Sequence, residues 1–177
     1  MKAILRSVLA LMALAFLFEE TPARMRQAQE KEPVSIKELR RAPAEIVLDG
    51  KSLSLSAFLW RDFSPGAWGY NRPLMASLKV TTSDKKAFPS GVRMERAWIL
   101  FGEQIWEVPD FRFRGTRLSD NKEMWIMCSV SSGCEISTSE GPQWGPGVFV
   151  DVVVRLIDKE GKHHLIQVKK QHIIATS

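Results

Sequence analysis

A chain of 177 residues with 45% hydrophobic and 25% charged residues has the composition of one ordinary globular domain, which excludes the fibrous and disordered classes. A formal net charge of +5 makes its surface mildly basic, suited to solubility or to an anionic envelope surface. Six tryptophans against one tyrosine give the chain large aromatic side chains with which to fill a core.

The N-terminus carries an export signal. Lys2 and Arg6 form a basic start, Ser7 to Phe18 an apolar core, and Glu19 opens a polar segment. The apolar core is about half what a membrane-spanning helix needs, so a cleaved secretory signal peptide over residues 1–23 is expected. Thr21-Pro22-Ala23 supplies small residues for cleavage after Ala23. The absence of a nearby cysteine excludes lipoprotein processing. A periplasmic or secreted location follows, with no stable membrane span once the signal is removed. The alternative is an inner-membrane anchor through residues 7–18. Export also leaves nucleic acid out of reach as a partner.

Residues 24–43 mix charge, Gln and two prolines. Ser35, with Glu38 three residues on, would cap a short helix through Arg41. The segment offers too little apolar surface to offset ordering, so a flexible tether is expected over 24–43. The folded domain then spans 44–177.

From residue 45 the hydrophobic pattern has the period of two that marks strands. Glu45 to Leu48 ends at Asp49-Gly50, a hairpin dipeptide. Ser52 to Trp60 follows, with Leu53, Leu55, Ala57 and Leu59 on one face. Residues 61–73 hold two prolines, two glycines and three aromatics, and read as a loop. Leu74 to Thr81 points Leu74, Ala76, Leu78 and Val80 inward. Val92 to Phe101 and Gln104 to Val108 form a second hairpin, with Trp98 and Leu100 on one face. Phe111 to Leu118 alternates aromatic and arginine. Met124 to Val130 is a strand, and 137–147 a Gly- and Pro-rich loop. Gly147 to Asp158 and Lys162 to Lys170 form a third hairpin. Its register sets Leu156 against His164, Val154 against Ile166, Val152 against Val168, and Asp151 against Lys169, which gathers the apolar residues on one face. Residues 171–177 form a tail.

About seven to nine short strands without a convincing helix predict an all-β fold. The expected form is a single antiparallel β-sandwich of immunoglobulin-like size, with a closed barrel as the alternative. Trp98 on a central strand fits such a core. Cys128 and Cys134 suit one structural disulfide in an oxidising compartment, contributing about 2 kcal/mol through its small loop. That bridge is local, unlike the immunoglobulin one, so the architecture is expected rather than the family.

Leu59-Trp-Arg-Asp-Phe-Ser-Pro65, the Ala97-Trp98 and Ile105-Trp106-Glu107 hairpin, and Gly141-Pro-Gln-Trp-Gly-Pro-Gly147 before a valine-rich strand resemble segments of small bacterial exported β-sandwich proteins of unknown function. The resemblance spans about residues 45–174. It implies export and a single β-domain, and carries over no catalytic residue.

The chemistry-bearing residues form no catalytic pattern. His163 and His164 are adjacent on a strand and point to opposite faces. With His172, they lack the convergent spacing of a zinc site. Met75, Met94, Met124 and Met127 are scattered and read as core filling rather than as soft-metal ligands. Asp62 and Asp110 sit at strand ends, where a carboxylate serves as acid, base or turn cap. No serine has a nucleophile context, and no metal or cofactor is implied. Two candidate contact surfaces remain. One is the aromatic loop of Trp60, Phe63, Trp68 and Tyr70, joined by Trp144, unless these rings fold back over the core. The other is the basic row Arg112, Arg114 and Arg117, unless it guards an edge strand. The expected function is a non-catalytic binding module of the bacterial envelope with a protein or envelope component as partner. The alternative is a periplasmic enzyme or copper carrier.

Overall fold

The computed structural model describes residues 34–66, 72–108, 125–129 (backbone only) and 133–177. Nine strands and one short helix fall among them: α1 (Ile36–Leu39), β1 (Glu45–Leu48), β2 (Lys51–Asp62), β3 (Leu74–Thr82), β4 (Arg93–Phe101), β5 (Gln104–Glu107), β6 (Trp125–Ser129), β7 (Gly133–Gly141), β8 (Phe149–Ile157) and β9 (His163–Thr176). The fold is nearly all β, as the period-two pattern requires. The strands join in one sheet, in the order β5-β4-β8-β9-β2-β3-β7-β6, with β1 on β2. The sheet curls like half a barrel.

Alternation decides the inner face. Leu53 and Leu59 of β2, Leu74, Ala76, Leu78 and Val80 of β3, Ile136 of β7, Val152, Val154 and Leu156 of β8, and Ile166 of β9 are all buried in one apolar cluster. The turns follow the residues that permit them. Asp49 and Gly50 both have positive φ (49° and 71°), the conformation of a two-residue hairpin turn. Gly161 (φ 82°) closes the β8–β9 turn.

The third hairpin keeps its expected register over three core pairs: Leu156 with His164, Val154 with Ile166, and Val152 with Val168. The Asp151–Lys169 pair does not form. The register shifts between Val150 and Val152, so Val150 faces Gln171. Lys170 takes a positive φ of 54°, and its N–H donates to the Asp151 carboxylate at 2.9 Å. A bulge replaces the ion pair.

Two stretches expected to be irregular are strands. β7 occupies 133–141, where Ser, Thr and Glu hide a buried alternation of Cys134, Ile136 and Thr138. β9 continues through the expected tail to Thr176. Its first part pairs antiparallel with β8, and its last part pairs parallel with β2, Leu59 with Ile173 and Trp60 with Ile174. The strand expected over 111–118 lies outside the described residues.

The described end of the expected tether is anchored. Ser35 caps α1, accepting from the Glu38 N–H, and Leu39 and Ala42 are buried. Gln167 on β9 donates its backbone N–H to Pro43 O (2.9 Å) and its side-chain amide to Ala42 O. Arg40 reaches Gly102 O and pairs with Glu103 at 3.0 Å. Residues 35–43 therefore cross the outer face of β4, β8 and β9. This explains Trp98 and Leu100. Both are buried, yet they stand apart from the central cluster, which takes Ala97 and Ile99 instead. Trp98 lies in a row with Val153 and Gln167, under the strap rather than in the main core. Arg155 stacks over its ring at 5.7 Å and pairs with Glu95 at 2.7 Å.

Candidate functional site

Two loops meet at the end of β2. Arg61 makes the junction: its guanidinium donates to Arg72 O (2.8 Å), Gln143 O (3.3 Å) and Gly145 O. One residue thus ties Arg72 to the 143–145 segment, with three carbonyls accepting from its guanidinium. Two guanidiniums approach the Phe63 ring, Arg61 at 5.4 Å and Arg72 at 4.8 Å from its centre. Asp62 closes the turn, accepting from Ser64 Oγ (2.6 Å) and Ser64 N (2.9 Å). Those hydrogen bonds hold its carboxyl below the usual aspartate value. Asp62 is thus a turn cap.

The aromatic candidates separate. Trp144 is half-buried on the core cluster and tilts against Phe101 at 5.6 Å, so it covers the end of the core. Trp60 instead points to the outer face and meets Phe58 at 5.1 Å. Trp68, Tyr70, Arg112, Arg114, Arg117 and Asp110 lie outside the described residues. So does the side chain of Cys128, although the backbone places it directly opposite Cys134.

Sequence reasoning missed the neighbours of Trp60. Phe58 is 52% and Phe149 62% exposed. Phe149 tilts against His172 at 5.1 Å. Parallel pairing sets Ile174 beside Trp60, and continuing that register by one residue brings Phe58 level with His172. Leu59, Val150 and Ile173 fill the inner face, so their neighbours Phe58, Trp60, Phe149, His172 and Ile174 line the outer one. A half-exposed aromatic face therefore crosses three strands. The run Ala57-Phe58-Leu59-Trp60 held a signal for it, since four successive apolar residues put hydrophobic groups on both faces of a strand.

The histidines do separate work. His163 pairs with Glu95 at 3.3 Å. His164, half-buried, meets Asp158 Oδ2 at 2.7 Å. Asp158 Oδ1 also accepts from the Glu160 and Lys162 N–H groups, at 2.9 Å each. The His164 bond, then the Lys162 amide, hold the Asp158 carboxyl below its usual value. This pair borders a cavity of about 200 Å³ between the β1–β2 and β8–β9 turns, lined also by Leu48, Val92, Asp49 and Lys159. Lys159 and Asp49 neutralise each other at 2.9 Å. Asp49 and Lys159 are thus taken up by each other, and no group of three His, Cys, Asp or Glu is placed to hold a metal ion among the described residues. Met94 is buried in the core cluster, and Met75 is buried on the outer face beside Trp60; Met124 and the side chain of Met127 lie outside the described residues. Comparison with protein-family models, curated proteins and solved structures finds no match.

Proposed function

We propose that this chain is a non-catalytic, exported β-sandwich that binds a protein or another component of the bacterial envelope. The observation that carries the reading is the outward aromatic face of Phe58, Trp60 and Phe149. Exposed clusters of this kind mark interaction surfaces.

Strand order supports the sandwich. β2-β3-β7-β6 follows the A-B-E-D order of immunoglobulin-type domains, and β9-β8-β4 the G-F-C order. Residues from both halves, such as Leu78 and Ile136 against Val152 and Ile99, share one core. The signal-like residues 1–23 support export. The cross-strand register of Cys128 and Cys134 supports the disulfide, because directly opposed residues have Cα atoms about 4.5–5.5 Å apart, within the range a disulfide spans. The cavity beside His164 gives the enzyme or copper-carrier alternative no comparable support.

The test is crosslinking in intact cells, followed by purification of the chain. A defined envelope component should be captured by the wild type and lost from a Phe58→Ser, Trp60→Ser variant that still folds. Equal capture by both would refute the role of this face.

A further inference from the structure

We propose that the outer face of β8, β9 and β2 is a docking surface for an anionic lipid bilayer. This deepens the binding-module reading above and rests on it. The surface is built by the topology. Phe149, His172 and Phe58 form one row across three strands, and Ile174, Trp60 and Met75 a second. Met75 is buried at the foot of this surface, whereas Phe58 and Phe149 project from it, 52% and 62% exposed. Amphipathic and aromatic rings of this kind partition into the headgroup region of a membrane.

Two further observations select a bilayer over a second copy of the chain. Charge is the first. Lys169 and Lys170 are exposed on β9, one residue short of His172, and the whole chain carries a net charge of +5. Like charge opposes self-association through this face and favours an anionic surface, by about 1 kcal/mol for each Lys or Arg close to it. Acidic groups on β2, β7 and β8 have partners, of which only the Glu135 partner is a cation. Asp62 accepts from Ser64, Glu135 pairs with Lys79 at 3.4 Å, and Asp151 accepts from the Lys170 N–H. Position in the chain is the second. Only fifteen residues lie between Phe18, the end of the apolar N-terminal segment, and Val34. Even fully extended they span at most about 55 Å. A domain exported by that segment, or held by it, starts its life beside a membrane.

Vesicle co-sedimentation tests the proposal. The full chain is mixed with vesicles of equal phosphatidylglycerol and phosphatidylcholine, and with vesicles of phosphatidylcholine alone. Binding should be about 10-fold tighter to the anionic vesicles and should weaken as salt rises. Phe58→Ser with Phe149→Ser should lose about 10-fold of it. Lys169→Glu with Lys170→Glu should abolish the preference for anionic lipid. Val47→Ser, a 68% exposed site on β1 opposite Ser52 at the other end of β2, should change nothing. All substituted residues are on the surface, and unchanged melting curves confirm that the variants fold. If the double-Phe variant binds as the wild type does, the apolar N-terminal segment is responsible and the proposal falls. It also falls if neither vesicle binds. Crosslinked capture of an envelope protein that depends on Phe58 and Trp60, without vesicle binding, would overturn the lipid assignment while leaving the binding-module reading intact.

Discussion

Leu39→Ala tests whether the strap over residues 35–43 belongs to the fold. Leu39 is fully buried, and truncating an enclosed leucine costs about 2–5 kcal/mol. It stands on a four-residue helix that can settle inward, so the lower end applies, about 2.5 kcal/mol. For a domain of this size that lowers the melting temperature by about 7 °C. A local reporter separates strap release from global unfolding. The Gln167 N–H donates to Pro43 O at 2.9 Å, and this bond exists only while the strap is docked. Its hydrogen exchange should accelerate about 60-fold if the full loss falls on local opening. Lys37→Ala, on the exposed side of α1, should leave both measurements unchanged. A melting shift below about 1 °C for Leu39→Ala, with unchanged exchange at Gln167, would show that residues 35–43 are a tether after all.

Gly133→Ala should destabilise by at least about 2 kcal/mol, because Gly133 has φ 81° and an added Cβ would lie 2.1 Å from Val80 O. Gly161→Ala meets open space and should cost only about 1 kcal/mol; equal losses in denaturant titrations would refute the close approach of β3 and β7. Asp62 and Asp158 are both held below the ordinary aspartate value, so the stability they contribute is present above about pH 4 and drains away as pH falls through their lowered folded values. Asp158→Asn should therefore show a smaller loss between pH 5 and pH 3 than the wild type, and an unchanged pH profile would contradict the His164–Asp158 bond. Mass analysis of exported protein should find one Cys128–Cys134 disulfide, and its reduction should cost about 2 kcal/mol; two free thiols would refute it.

Local order was legible where a single strand pair decides it. The period-two runs located the strands, Asp49-Gly50 its hairpin, and the valines of β8 their partners on β9. Even there, one register step was lost at Lys170, because a bulge depends on backbone torsions that side-chain alternation does not encode. β7 escaped notice for a related reason. Its outward Ser and Glu residues look like a loop until Cys134, Ile136 and Thr138 are seen to share a buried face.

The candidate site was harder to read because it is made by a long-range pairing. Alternation shows that Trp98 and Leu100 share a face, but not which face; residues 35–43 settle that by covering it. In the same way, Phe58 and Phe149 are ninety-one positions apart and no local pattern relates them. They share a surface only because β9 leaves β8, continues past Lys170 and pairs in parallel with β2. Parallel neighbours need no turn between them and so leave no turn signature. One crossing strand therefore does two things. It links the two halves of the sheet around one core, and it brings three aromatic rings from distant segments onto an outer face with no strap of its own among the described residues. The strap buries Trp98 and leaves Phe58 and Phe149 in solvent, and this contrast is why the search for a partner belongs on the β8-β9-β2 face.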